Sequence, residues 1–377
     1  MIVRTLCLIN NKYWKYSQEM KTKKIKVFLG GYVNYTNAQN LNCRALAKYL
    51  DKDKFECAAM LFPNGNLPVD GDLDGVKLFC CWHPVRYWHY VIFFRGIMWC
   101  DVAYLPKGEI WEFCAKCLKW LGKKSFNTVE GVIDGATYEG VLRIARSDNG
   151  IKEMYNYTTK TYSITKYMKG ENKRLLNIES DGIIYLGVET DKFVAQSRKR
   201  IEMSNVVFIG NDMRRKGVDD IMKLAERLSG ITFNLVGAGN GYDVVEEIRR
   251  LNLKNVVYHG ILSHVQMAEL LSKMDLHVFP SRSEGFPKVT LETAAMGVPS
   301  VVYSDYGAAE WITTGKNGYV VSTIDEIEAV IKHLQQHPEK LDLLAEEAIK
   351  LAKSFDWKVL VKDWEKVIEE IWVGEQV

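Results

Sequence analysis

The fold class predicted for this chain is α/β, in two domains each wound from alternating strands and helices. Three stretches carry the prediction. Lys24 to Leu29 (KIKVFL) reads as a strand, runs into Gly30-Gly31-Tyr32, and is followed by a helix over Ala38 to Leu50. Asn205 opens another strand, NVVFIG, ahead of a helix from Val218 to Leu228. Leu276-His277-Val278-Phe279 is a short apolar strand ended by Pro280. Pro287 then suits a first helical turn, the helix covers Lys288 to Met296, Gly297 closes it, and Val298 to Tyr303 is the next strand.

The third stretch, PSRSEGFPKVTLETAAMGVPSVV, is also the most informative chemically. Glu284 falls in the loop at a strand's carboxyl end, and Glu292 lies about one turn inside the following helix. Between them the amides of Lys288, Val289 and Thr290 open a helix, a place suited to phosphate. A diphosphate flanked by two hydroxyl-rich rings matches this order of groups. The plainer reading is a helix start that favours acidic residues.

SEGFPKVTLETAAMGVPSVV closely resembles the E-x7-E signature of retaining glycosyltransferases of the GT-B fold, in particular glycosyltransferase family four. The likeness is strong from about Asn205 to Val321 and thin before that. It implies two Rossmann-like domains facing across a cleft, with a C-terminal helix crossing back to the first. The domains are expected at 1–194 (acceptor-binding) and 204–354 (nucleotide-sugar-binding), with 355–377 as the returning helix. It further implies that Glu284 contacts the donor hexose, that Glu292 holds the ribose hydroxyls, and that a UDP- or GDP-sugar is the donor. Retention of anomeric configuration and a glycan or lipid-linked acceptor come from the resemblance alone.

Composition sets the outer bounds. The 377 residues are 47% hydrophobic and 26% charged, enough apolar material for two cores. A net charge of +3 is too small to make nucleic acid the expected partner. All eight cysteines fall at or before Cys117 without regular spacing, which reads as reduced thiols in a cytoplasmic protein. No run is long and apolar enough to span a bilayer, and the first sixteen residues carry no small-residue cleavage signal.

In chain order, the Gly30-Gly31 turn can approach an anion, and the resemblance makes Gly31 a donor-phosphate candidate. Asp70, Asp72 and Asp74 invite a calcium loop, but position twelve is Cys81 and a surface turn is expected. Lys77 to Trp82 and Asp101 to Leu105 read as strands. Residues 84–100 between them are crowded with aromatic and basic side chains, giving two readings: a helix packed on a sheet, or a segment peripheral on an anionic membrane face. Trp111 to Leu121 is expected helical; Cys114 and Cys117 within it are half a zinc motif with no second half. Ser125 to Val129 is a strand, and Glu130 stands at its end where family members often carry a His near the reacting sugar. Glu130 is therefore a candidate catalytic base or acceptor-hydroxyl holder, with Asp134 a lesser neighbour. Tyr162 to Tyr167 and Gly182 to Leu186 are read as strands, and Ala195 to Glu202 as a linker.

After strand NVVFIG come Arg214-Arg215-Lys216-Gly217. Solvent exposure is the default explanation of three cations beside a strand end, and a diphosphate held by charge-assisted bonds is the alternative. The family places an Arg/Lys pair here, matched by Arg215 and Lys216; many members have Arg where this chain has Asn211. Thr232 to Val236 runs into Gly237-Ala-Gly239, whose spacing is wrong for a dinucleotide fingerprint. Val256 to His259 leads to Leu262, where relatives cradle the base, and a helix follows over Val265 to Lys273. Glu310 reads as structural, and Trp357 and Trp364 as anchors of the last helix. No metal and no other cofactor is required. A nucleotide-sugar epimerase and a non-catalytic sugar-nucleotide-binding protein are the rival readings on this architecture.

Overall fold

A computed structural model describes residues 23–106, 112–133, 135–195 and 198–374. The expectations for the first sixteen residues, for Trp111 and for Asp134 lie outside the described residues, as does part of the 195–202 linker.

The first half alternates as its sequence demands: β1 (Ile25–Tyr32), α1 (Ala38–Tyr49), β2 (Phe55–Leu61), β3 (Lys77–Cys80), α2 (Val85–Trp99), β4 (Val102–Pro106), α3 (Glu112–Trp120) and β5 (Lys124–Val129). There follow α4 (Gly135–Ala145), α5 (Asp148–Tyr155), β6 (Lys160–Ser163), α6 (Lys166–Leu176) and β7 (Gly182–Ile183). The strands form one sheet in the order β3-β2-β1-β4-β5-β6-β7. β1 sits centrally, parallel to both neighbours, with Val27, Phe28 and Leu29 fully buried, so its apolar run reads as continuous rather than alternating. Asn37 caps α1 by accepting from the Asn40 amide at 2.8 Å.

The second sheet comprises β8 (Asn205–Ile209), β9 (Thr232–Val236), β10 (Val256–Gly260), β11 (Leu276–Phe279), β12 (Ser300–Tyr303) and β13 (Gly318–Val321). Its order is β10-β9-β8-β11-β12-β13, with each neighbouring pair parallel. The helices are α7 (Val218–Arg227), α8 (Val244–Arg250), α9 (His264–Leu271), α10 (Lys288–Ala295), α11 (Ile324–Gln336), α12 (Glu339–Ser354) and α13 (Trp357–Val373). The chain winds β8 to β10 one way and returns to β11 on the other side of β8, so the winding reverses between β8 and β11. In open parallel sheets ligands gather at the carboxyl ends beside such a reversal.

Two compact units emerge. One takes the residues up to Thr128, Glu153–Thr161 and those from Asp363 on; the other takes Val129–Lys152 and Tyr162–Lys362. In the first, Trp364 is fully buried, 5.1 Å edge-on to Tyr104, and Glu365 accepts from the Asp51 amide at 3.1 Å. In the second, Trp357 lies against Gly187, where an added Cβ would come within 2.6 Å of the indole.

Two expectations need correction. Strand β6 ends at Ser163 rather than Tyr167, because Thr165 caps α6 by accepting from the Met168 amide at 3.1 Å. A β-branched run had hidden that helix start. β7 is likewise only Gly182–Ile183. The Asp70/Asp72 turn is indeed a surface turn: Arg44 holds Asp70 at 2.5 Å and Asp72 at 3.4 Å.

Candidate active site

A cavity of about 500 Å³ opens at the carboxyl ends of β8, β9, β10 and β11, where the winding reverses. This volume is typical of small-molecule sites. Arg215, Lys216, Leu262, Glu284, Lys288, Val289 and Glu292, all expected from the sequence to hold a donor, line it together. So does Gly237, whose turn the resemblance puts near a nucleotide, and so do Asp212, Met267 and Phe279, which no sequence pattern had singled out for the site.

The Lys216 side arises from a tight turn. Asp212 adopts a left-handed φ of 56°, and Gly217 follows at φ 86°. A Cβ on Gly217 would meet the Pro280 carbonyl oxygen at 2.2 Å, so only glycine lets the cationic loop lie against the segment leading to Glu284. Asp212 Oδ2 accepts from Arg215 Nε at 2.9 Å, and Arg215 Nη1 donates to the Ser283 carbonyl at 3.0 Å. Lys216 Nζ pairs with Glu284 Oε1, which also accepts from the buried Ser281 hydroxyl at 2.9 Å. Burial holds the Lys216 ammonium below the ordinary lysine range despite Glu284's attraction. Asn211 accepts from the Ala238 amide at 2.8 Å, tying this turn to the glycine turn after β9.

On the α10 side, Pro287 starts the helix. The Lys288 amide donates to the Phe286 carbonyl and the Thr290 amide to the Pro287 carbonyl, so two of the three expected phosphate-binding amides are already engaged. Val289, which lines the cavity, is the third. The Thr290 hydroxyl is buried, donating to Pro287 O at 2.9 Å and accepting from Trp311 Nε1 at 3.2 Å. Thr290 therefore holds the helix start in shape from behind and lies outside the cavity lining.

Lys288 is half-buried, and burial pushes its pKa down while Glu130, Glu292 and Glu189 oppose this. Glu292 is pushed up by burial, against Lys288, His264 and Lys192. Glu130 is thus an electrostatic neighbour of a cavity lysine without itself lining the cavity. Its carbonyl oxygen lies 3.1 Å from where a Gly285 Cβ would stand.

Gly31 belongs to the other unit. A Cβ there would press Cys43 Sγ at 2.8 Å, so close packing of α1 on β1 accounts for the glycine. Glu310 is structural: its carboxylate accepts from the Tyr167 amide at 2.5 Å and the Tyr185 hydroxyl at 2.9 Å. Among the described residues no three His, Cys, Asp or Glu side chains gather as a metal site would require. No described helix is long and apolar enough to cross a membrane.

Comparison with known proteins bears on the family and the fold. The family described as glycosyl transferases group 1 matches residues 189–351. An alpha-galactosylglucosyldiacylglycerol synthase of Streptococcus pneumoniae is 32% identical over 252 residues, covering 61% of this chain and 67% of that protein. For two further curated relatives the share of their length is 64% and 61%, so the chain spans less than two thirds of each. Among solved structures, HepE of Anabaena in complex with UDP superposes with a TM-score of 0.74 at 16% identity, covering 92% of this chain and all (100%) of that one. The same protein is also solved with UDP-glucose, at a TM-score of 0.72 and 16% identity, covering 92% of this chain and 99% of that one. Sucrose-phosphate synthase of Thermosynechococcus elongatus gives a TM-score of 0.74 at 14% identity, with 93% and 100% covered. At such identities the structural likeness is one of fold. The chain belongs to the glycosyl transferases group 1, and it is a glycosyltransferase of the GT-B fold.

Proposed function

We propose that this enzyme moves a hexose, with retention of anomeric configuration, from a nucleotide-diphosphate sugar to a hydroxyl of a glycan or lipid-linked acceptor. One observation carries the reading: Arg215, Lys216, Glu284, Lys288, Val289 and Glu292 line a single cavity at the winding reversal of one parallel sheet. Cations suit a diphosphate, and carboxylates suit sugar hydroxyls. The UDP-glucose complex of HepE and the glycolipid product named for the pneumococcal relative support the donor and acceptor classes.

In this mechanism Glu292 accepts from ribose hydroxyls and Glu284 from the hexose. The bond from the anomeric carbon to the phosphate oxygen breaks as the acceptor oxygen attacks from the same face. The acceptor's proton passes to the departing diphosphate or to Glu130 acting as base. Arg215, Lys216, Lys288 and the Val289 amide stabilise charge growing on the leaving group, a role that asks for no metal.

A thermal-shift series of UDP-, GDP- and ADP-sugars is the test, since a ligand bound only by the folded state must raise its melting temperature. One nucleotide series should stabilise the protein, and transfer products from it should keep the donor's anomeric configuration by NMR. Turnover of donor alone to an epimer would replace this reading with an isomerase. Binding without transfer to any acceptor would leave a sugar-nucleotide-binding protein.

A further inference from the structure

Asp212 lines the cavity with Arg215, Lys216 and the start of α10, where a carboxylate and a diphosphate would repel each other. It is also firmly seated. Its backbone lies in the left-handed region at φ 56°, which Asp tolerates better than most residues. Its amide donates to the Ala238 carbonyl at 3.1 Å, and the Ala238 amide donates to Asn211 Oδ1 at 2.8 Å. Its carbonyl accepts from the Lys216 amide at 3.2 Å, and the next residue, Met213, is fully buried. A Cβ on Gly237 would meet the Gly210 carbonyl oxygen at 2.3 Å, so the turns after β8 and β9 pack backbone to backbone. The Asp212 carboxylate is therefore carried on a fixed mount.

That mount holds Arg215. Asp212 Oδ2 accepts from Nε at 2.9 Å and the Ser283 carbonyl accepts from Nη1 at 3.0 Å, so the guanidinium is gripped from the β8 loop and from the β11 loop. Glu284 Oε1 lies further from Nη1, at 3.5 Å. Nη2, with two N–H donors, has no hydrogen-bond partner among the described residues. An arginine free to change rotamer loses that freedom on meeting an anion, whereas one held by two acceptors has lost it beforehand. Asp212 and Arg215 are each about half exposed, and an exposed ion pair three residues apart adds little to stability. Orientation accounts for the pair where stability does not.

We propose that Asp212 is a positioning residue for the transfer reaction, fixing Arg215 so that Nη2 meets the diphosphate of the donor. The inference rests on the reading of this cavity as a nucleotide-sugar site. Water and salt screen the repulsion of a half-exposed carboxylate, so a well-aimed, charge-assisted bond from Arg215 outweighs it.

The test is calorimetric titration with UDP, GDP and ADP, continued on each variant with the nucleotide that wild type binds most tightly. Asp212→Gly permits the left-handed backbone but removes the acceptor, and should weaken binding about tenfold. Arg215→Ala should weaken it by about tenfold or more. Asp212→Gly/Arg215→Ala should then lie within about twofold of Arg215→Ala alone, because Asp212 has nothing left to aim. Asp212→Asn keeps an oxygen that accepts from Nε and also tolerates the left-handed φ, so it should recover affinity to within about threefold of wild type. A role confined to loop structure gives the opposite pattern, an equal loss from Asp212→Gly with and without Arg215, and that result overturns the proposal. So does Asp212→Gly with wild-type affinity, or Asp212→Asn no better than Asp212→Gly. Those results remove Asp212 alone, whereas a wild type that binds none of the three nucleotides takes the donor reading down and this role with it.

Discussion

Lys216 Nζ and Glu284 Oε1 are joined in a salt bridge on the cavity wall, with the Ser281 hydroxyl donating to the same carboxylate at 2.9 Å. The two residues assigned to opposite ends of the donor are therefore each other's ion-pair partners. A diphosphate must compete with Glu284 for Lys216, and a hexose hydroxyl must compete with Lys216 for Glu284. Glu284→Gln separates the two roles: it should leave UDP binding unchanged or tighter, because Lys216 is released, while transfer falls at least a hundredfold. Calorimetry with UDP and a transfer assay check this. A parallel loss of UDP affinity would place Glu284 in the nucleotide's own contacts.

Glu292→Ala should raise the donor dissociation constant at least tenfold, about 1.4 kcal/mol. Glu292 lines the cavity and has no hydrogen-bond partner among the described residues, so its removal breaks no internal bond. Unchanged donor affinity by calorimetry would remove it from the site.

Donor affinity should depend on pH in a bell. Glu292 must be ionised to accept ribose hydroxyls, and burial raises its pKa, so affinity rises with pH through a value above the ordinary 4.5. Lys216 must stay charged, and burial lowers its pKa, so affinity falls through a value below the ordinary 10.5. For stability the signs are these. The folded state binds Glu292's proton more tightly and Lys216's less tightly than the unfolded chain does. Both ionised groups therefore cost stability at neutral pH, and bound donor offsets that cost. Calorimetry from pH 4.5 to 10 measures the bell, and a flat profile would contradict it.

Gly217→Ala should be costly out of proportion to one methyl group. Its φ of 86° strains any side chain, and the Pro280 carbonyl stands 2.2 Å from the new Cβ. Because the backbone on both sides must part, Lys216 should move away from Glu284 and donor affinity should fall with stability. Chemical denaturation and donor titration on the same variant report both.

Glu310→Ala should leave the chemistry alone and lower the melting temperature. It removes the carboxylate that accepts from the Tyr167 amide and the Tyr185 hydroxyl, two bonds worth roughly 2 kcal/mol together. In a unit of this size that is about 4–8 °C. A variant with full stability but lost activity would instead place Glu310 in the site.

Local signals were legible wherever one short stretch carries both a structural and a chemical constraint. Pro287 and Gly297 mark the two ends of α10, and Glu284 and Glu292 are separated by less than three helical turns of chain, so their shared cavity could be read from spacing. Arg215 and Lys216 were legible through the resemblance, which places an Arg/Lys pair there; by themselves, cations beside a strand end can simply be solvated. Asp212 was not, since an exposed aspartate in a loop looks like any solvated charge until its oxygen is seen on Arg215 Nε. Thr165 was hidden because a threonine in a β-branched run suits a strand as well as it suits a helix cap.

The chain by itself dictated its alternation of strands and helices, because apolar runs, caps and glycine stops act over a few residues. It also places cations and carboxylates beside strand ends, where the proposed donor would bind. Tertiary structure alone decided that Lys216 and Glu284, 68 residues apart, share one bond, that Thr290 turns inward, and that one apolar face of α2 stays bare. Those outcomes depend on how β8 and β11 lie side by side and how closely Gly96 meets Phe28, and no window of sequence contains both partners.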